Sequence, residues 1–311
     1  MRYKKITDFD LIVRFLEVSF SSPTHWPEWN LLVSKYFNTD FYYFALLDKK
    51  SELVGICPIH ETRNGLTKNL NSGQFHYIPN GGWLLNCEEE INISELRIPI
   101  NARFECFALP AIKEFGAKYS KPTRSFCTLI IDLEKDEDEI WSESIDSKRR
   151  NMIRKSLRTD LQIKNGFDTL NDFYFLYSEN SNRNGIEKLP VSFFEGLIRE
   201  VKNVHFVPFV AYKDDFPCGA LGLMYDKNYA IYWLGSTKHN AGNFGQGDLL
   251  QWEAIRYSKA NGCKYYDLCY IEKERLPHIY EFKKGFSKTE VEVPYILKKQ
   301  TMFRIMNKLQ K

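Results

Sequence analysis

Three strand-like runs, Val204 to Tyr212, Pro217 to Tyr225 and Tyr229 to Leu234, are parted by the turn sequences Lys213-Asp214-Asp215 and Asp226-Lys227-Asn228. Such short polar connections cannot carry a chain over the face of a sheet, so the runs must pair as an antiparallel meander. Pro208 cannot donate to a ladder, which predicts an edge strand or a bulge in the first run. The loop Gly242-Asn243-Phe244-Gly245-Gln246-Gly247 follows, and from Asp248 the pattern turns helical, with Leu249, Leu250, Trp252, Ala254, Ile255 and Tyr257 on a broad apolar face. Gly262 supplies a C-cap, and Lys264 to Tyr270 reads as a short strand. A helix around His278 to Lys284 and a strand from Glu290 to Leu297 complete the half. A crossover helix joins parallel neighbours, so a mixed sheet is expected.

The N-terminal half carries a fainter copy of this plan. Helical patterns at Phe9 to Val18 and Trp29 to Phe37 precede a strand from Phe41 to Leu47, the turn Asp48-Lys49-Lys50 and a return strand from Leu53 to His60. Phe44-Ala45-Leu46…Val54-Gly55 parallels Val210-Ala211-Tyr212…Cys218-Gly219, which suggests a duplicated domain. Tyr77-Ile78-Pro79-Asn80-Gly81-Gly82 reads as a loop whose paired glycines permit positive φ. At 311 residues the chain suits two cores rather than one, with the junction in the acidic run Glu134 to Glu139. The fold class expected is α/β (α+β), two related domains, each a mixed sheet flanked by helices.

Composition excludes several functions. A net charge of +3 gives no footprint for DNA. Seven scattered cysteines without a C-x-x-C pair suit reduced thiols, and the six histidines have no ligand spacing, so no metal site is expected. The N-terminal residues lack the apolar core of a signal peptide, and no apolar stretch reaches the roughly 20 residues of a membrane helix. These features point to a cytoplasmic protein.

Four features bear on chemistry. The glycine loop opens a helix, so the amides of Phe244, Gly245, Gln246 and Gly247 are expected to receive an anion such as a pyrophosphate; as a bland alternative, the loop is only a connector. It matches neither the Walker nor the dinucleotide spacing. The basic run Lys148-Arg149-Arg150-Asn151-Met152-Ile153-Arg154-Lys155-Ser156-Leu157-Arg158 is read first as a solvated helix face packed through Met152, Ile153 and Leu157, and second as a phosphate-binding patch. Asp267 and Glu253 are candidates for a general base or its orienter, although each is first a structural hydrogen-bonding group. Lys298 to Lys311 is amphipathic, with Met302, Ile305, Met306 and Leu309 at helical spacing among basic residues. Docking on its own protein is the reading favoured for it; peripheral contact with an anionic membrane is the other.

Several segments, in order, resemble the Fem-type peptidyltransferases and their GNAT-like N-acyltransferase relatives. They are Ser147-Lys148-Arg149-Arg150-Asn151-Met152-Ile153-Arg154-Lys155; Ser181-Asn182-Arg183-Asn184-Gly185-Ile186 with Leu189-Pro190; Ile231-Tyr232-Trp233-Leu234-Gly235-Ser236; Leu249 to Ile255; Tyr266-Asp267-Leu268; and Phe282-Lys283-Lys284-Gly285-Phe286. The resemblance implies tandem GNAT-like domains, residues 1–140 and 141–311, with the chain after about residue 288 returning to the first. It implies acyl transfer to an amine by direct attack, with Lys283 at the reacting centre and Arg183 holding a nucleotide-linked acceptor. Tyr232, Trp233 and Phe282 are the aromatic candidates for substrate contact, and Gly285 is expected to turn the chain after the lysine. Leu109-Pro110 stands where some peptidyltransferases carry an acidic residue before the proline, the helical arm of several aminoacyl-tRNA users has no room here, and Gly245-Gln246-Gly247 is similar to an acyl-CoA loop. The expectation is therefore an N-acyltransferase with no permanently bound cofactor, taking acyl-CoA as donor. Its acceptor is an amine on a small molecule or on a nucleotide- or lipid-linked envelope precursor. The alternatives are an aminoacyl-tRNA-dependent peptidyltransferase and a catalytically inactive tandem binding module.

Overall fold

The computed structural model describes residues 2–73, 78–92, 94–239 and 242–309. Tyr77 and Lys311 of the segments above lie outside the described residues. Strand β1 (Arg2–Ile6) leads into helices α1 (Phe9–Val18) and α2 (Pro27–Phe37), then β2 (Asp40–Leu47), β3 (Leu53–Asn64) and β4 (Thr67–Ser72). The Asp8 carboxylate caps α1 by accepting the Leu11 amide at 3.1 Å. Proline at its first position starts α2, and Asn38 in the left-handed region stops it. Next come β5 (Leu84–Leu85), β6 (Glu89–Ile91), β7 (Ala102–Phe107), β8 (Ala117–Tyr119) and β9 (Arg124–Asp132). Of the paired loop glycines, Gly82 has positive φ, at +82°.

The chain continues through the single turn α3 (Glu137–Glu139), closed by a capping box between Asp136 and Glu139, into α4 (Ser147–Ser156) and β10 (Gln162–Asn165). Helices α5 (Leu170–Arg183) and α6 (Val191–Arg199) precede the meander β11 (His205–Lys213), β12 (Phe216–Tyr225) and β13 (Tyr229–Thr237). The crossover helix α7 (Gln246–Ala260), β14 (Tyr265–Asp267), α8 (Pro277–Lys284), β15 (Glu290–Lys299) and α9 (Thr301–Leu309) follow.

Packing sorts these elements into two units, Met1–Thr128 with Val291–Lys311, and Leu129–Glu290. Each unit orders its strands alike. In the first, β1, β2, β3 and β4 run antiparallel, β4 lies parallel to β7, and β7 is antiparallel to β15. In the second, β10, β11, β12 and β13 run antiparallel, β13 lies parallel to β14, and β14 is antiparallel to β9. The sixth place is filled from a distance along the chain in both. Strand β15 returns to the first unit after the whole of the second, while β9, which follows the first unit's strands, closes the second.

In the second unit one sheet face packs on α7 through Leu221, Leu223, Ala230, Leu250 and Ile255. The opposite face carries an aromatic cluster of Phe173, Tyr177, Phe193, Phe194, Phe206 and Trp233. The first unit's core gathers Leu46, Ile59, Leu70, Trp83, Phe104 and Ile296.

Three local expectations are corrected. Pro208 is not on an edge strand, because β11 lies between β10 and β12; it is tolerated since β10 ends opposite Phe209, and the bulge falls at Ala211/Tyr212. The strand expected over Lys264 to Tyr270 pairs only at Tyr265–Asp267, because the Asp267 carboxylate accepts the Cys269 amide at 2.8 Å and Cys269 turns at a φ of +63°. In α4, Ile153 is buried but Leu157, its C-cap, is exposed; Lys148, Lys155 and Arg158 are exposed as expected, whereas Arg150 donates to the carbonyls of Trp141, Ser142 and Ile145, and Arg154 lies over the Trp141 ring.

Candidate active site in the second unit

Strands β13 and β14 pair from Tyr229↔Tyr265 to Ile231↔Asp267, and β13 then runs on to Thr237. At the parting, β13 bulges against Gly222/Leu223, with Trp233 as the additional residue. Tyr232 packs on the α7 side with the core, whereas Trp233 enters the aromatic cluster behind the sheet. These two neighbours, both expected at the substrate, thus serve opposite faces.

Lys283 reaches this parting from α8. Its side chain is buried, Nζ donates to the Cys269 carbonyl at 3.2 Å and lies 5.4 Å from the centre of the Tyr232 ring. Lys284, one helical step of about 100° away, is exposed over Tyr280. Phe282 packs on Phe286 and under the Arg149 guanidinium at 4.8 Å. Asp267 is fully engaged as an organiser: it accepts the Tyr229 hydroxyl at 3.0 Å and the Cys269 amide, fixing the carbonyl that Lys283 uses. Burial pushes the Cys269 thiol up to about 11, against the pull of the Lys283 charge, and the Tyr232 hydroxyl up to about 12. Both are therefore neutral near pH 7.

Beneath Tyr232, the Tyr266 hydroxyl donates to Gln251 Oε1, and the buried Gln251 Nε2 has no protein partner among the described residues. Tyr266 and Gln251 were not foreseen as site residues. The available signal was a glutamine interrupting the apolar run of α7.

The glycine loop is more closed than its sequence suggests. The Phe244 amide donates to Gln246 Oε1 at 2.9 Å, the Gly245 amide to Asn243 Oδ1 at 3.1 Å, and Gln246 Nε2 to the Gly242 carbonyl at 3.0 Å. The amides of Gln246 and Gly247, at the head of α7, are what remains for an anion. The third residue of the helix, Asp248, is buried and paired with Arg149 at 3.0 Å. Burial pushes its carboxyl above the usual range, with Arg149 opposing.

Residues 146–284, which lie inside the second unit, match the family model described as an acetyltransferase (GNAT) domain. The fold is Fem-type and GNAT-like. Over nearly its whole length the chain superimposes on FemX, with a TM-score of 0.64 at 12% identity, covering 99% of both chains. It also superimposes on the C-terminal domain of a putative lysylphosphatidylglycerol synthetase from Agrobacterium fabrum, with a TM-score of 0.56 at 11% identity over 97% of this chain and 96% of that one. For L-PGS from Bacillus licheniformis the values are 0.52 and 12%, over 96% and 94%. At these identities the likeness is one of fold. Among curated proteins, none matches the chain by sequence.

Within the GNAT-like unit, the remaining predicted residues lie apart from Lys283. Glu253 sits on the outer side of α7, paired with Arg256 at 3.3 Å. Arg183 is exposed at the end of α5 and bonded to Asn180 at 2.7 Å. Gly285 does not turn the chain by unusual backbone, since its φ is −67°; a side chain there would meet the Arg149 Cγ at 2.7 Å, so the residue makes room for Arg149.

Gly245 combines both constraints. Its φ is +75°, and a Cβ would lie 2.2 Å from Ser156 Oγ, the hydroxyl that donates to the Phe244 carbonyl. Gly245→Val, expected from sequence to leave stability nearly intact, is instead expected to lower it by about 1–3 kcal/mol through strain and overpacking. Urea unfolding of the variant measures this; an unchanged midpoint would show that the loop yields.

Proposed function

We propose that the second unit is an N-acyltransferase that moves an acyl group from acyl-CoA to an amine of a small-molecule or envelope precursor. The observation that carries this reading is the buried Lys283 ammonium at the parting of β13 and β14, beside Tyr232. Amine attack on a thioester builds negative charge on the carbonyl oxygen, and a fixed cation lowers that barrier. Asp267 orients the Cys269 carbonyl that holds Lys283. Direct attack needs no enzyme nucleophile, consistent with a Cys269 thiol kept protonated by burial. The donor pyrophosphate would lie on the head of α7 at Gln246 and Gly247.

A second reading rests on the internal bonding of the Phe244 and Gly245 amides. With fewer amides to offer a pyrophosphate, the same centre would serve an aminoacyl ester of tRNA, as in the peptidyltransferase branch.

Calorimetry with coenzyme A, acetyl-CoA and a charged tRNA mixture separates the two. A Cβ at Gly247 meets only the Phe282 ring, at 3.8 Å, so Gly247→Leu is expected to fold while covering the helix head. Coenzyme A binding should weaken roughly tenfold or more in this variant, as close backbone approach is lost. Unchanged coenzyme A affinity removes the helix head from the donor site, and binding of charged tRNA alone supports the second reading.

A further inference from the structure

One corner of the first unit gathers large apolar side chains at the surface. Leu66, in the β3–β4 turn, is 69% exposed; Ile100, before β7, is 71% exposed; Met302 and Ile305 of α9 are 39% and 50% exposed. Hydrogen bonds tie the three segments together. Asn101 Nδ2 donates to the Leu66 carbonyl at 2.6 Å, Gln300 N to the Ala102 carbonyl at 3.2 Å, and Gln300 Nε2 to the Ile98 carbonyl at 3.4 Å. Helix α9 lies against β4 and β7, and its Phe303 is buried. The helix thus docks on its own protein, as the sequence favours, while Met302 and Ile305 of its apolar stripe face outward.

Charge decides what this corner fits. Residues 63–68, 97–101 and 298–305 contain Arg63, Lys68, Arg97, Lys298, Lys299 and Arg304, and neither Asp nor Glu. Glu61, beside the turn, is buried and paired with Lys68 at 2.8 Å. Lys298 is turned inward onto the Ser94 and Leu96 carbonyls, at 3.0 and 2.9 Å. Arg63, which also pairs with Glu61 at 3.4 Å, and Arg97, Lys299 and Arg304 are exposed on the same three segments as the apolar residues. Apolar side chains alongside cations suit an interface whose outer layer is anionic and whose interior is hydrocarbon. A folded protein partner would need matching acidic groups and an apolar socket; a bilayer supplies both without specific shape.

We infer that this corner is a peripheral docking surface for an anionic lipid bilayer, with Leu66, Ile100, Met302 and Ile305 entering the acyl boundary and the four exposed cations meeting headgroup phosphates. Sedimentation of the full chain with vesicles tests it. Phosphatidylcholine vesicles with about a third phosphatidylglycerol should bind the protein at low salt, and pure phosphatidylcholine should bind it far more weakly. High salt should weaken the first interaction. Leu66→Glu and Ile305→Glu change exposed positions, so both are expected to fold, and each should reduce binding about tenfold or more. Val18→Glu, at an 85% exposed residue at the end of α1, should leave binding unchanged. Equal binding to both vesicle types, or equal losses in all three variants, overturns the inference. So does a dimer in solution that Ile305→Glu dissociates, because a second copy would then cover the corner.

Discussion

Lys283→Met is expected to lower turnover by about 10²–10³, the loss typical of removing one group that stabilises a developing oxyanion. Methionine nearly fills the volume of the lysine stem, so the principal structural cost is the Cys269 carbonyl left without its donor, about 1–3 kcal/mol at most. Lys284→Met is the internal comparison, since its side chain is exposed over Tyr280 and should affect neither rate nor melting. The measurement is acyl transfer to an amine panel, followed by coenzyme A release, with melting curves of both variants in parallel. A rate loss confined to Lys283→Met supports the proposed centre. Equal, mild effects at the two lysines would reduce the pair to a charged helix end.

Arg149→Ala should cost the most stability, about 3–5 kcal/mol at neutral pH, because it leaves the buried Asp248 carboxylate without its partner. Two further losses point the same way: the guanidinium stacks on Phe282, and the space at Gly285 is shaped to it. The pH dependence has a defined sign. Burial holds the folded Asp248 pKa above its unfolded value, so the folded chain binds this proton more tightly. The associated stability is complete below the unfolded value, near 3.9, and is lost as pH rises through the folded one. Removing Arg149 raises the folded value further, so the deficit of the variant should shrink on acidification. Urea unfolding at neutral and mildly acid pH measures both effects. Replacing the pair together, Arg149→Met with Asp248→Leu, should recover much of the loss, as paired buried charges often yield to apolar residues. A neutral-pH loss below about 1 kcal/mol, as for a surface pair, would refute this account.

Local chemistry made much of the fold legible. The meander at 205–237 followed from two short polar turns, and the crossover helix from a change of apolar period followed by a strand. Less could be read where pairing is non-local. Strands β7 and β9 carry no comparable turn signal, and β15 takes its place beside β7 only after the intervening unit has been made. Register between such distant segments depends on which apolar faces meet in three dimensions.

The candidate site divides in the same way. Residue order supplied Lys283, the glycine loop and Asp267, since each stands within a short motif. Lys283 turns inward and Lys284 outward, as the resemblance and one helical step imply. Tertiary structure alone decided that Asp267 is occupied in holding Tyr229 and Cys269, and that Gln246 and Asn243 take two of the loop amides. It also separated Tyr232 from Trp233 across a bulged strand and turned Met302 and Ile305 of α9 outward. The physical reason is the range of the interactions. Turn geometry and helix period act over a few residues and are written in adjacent letters, whereas burial, ion pairing and hydrogen-bond occupancy depend on neighbours that only packing supplies.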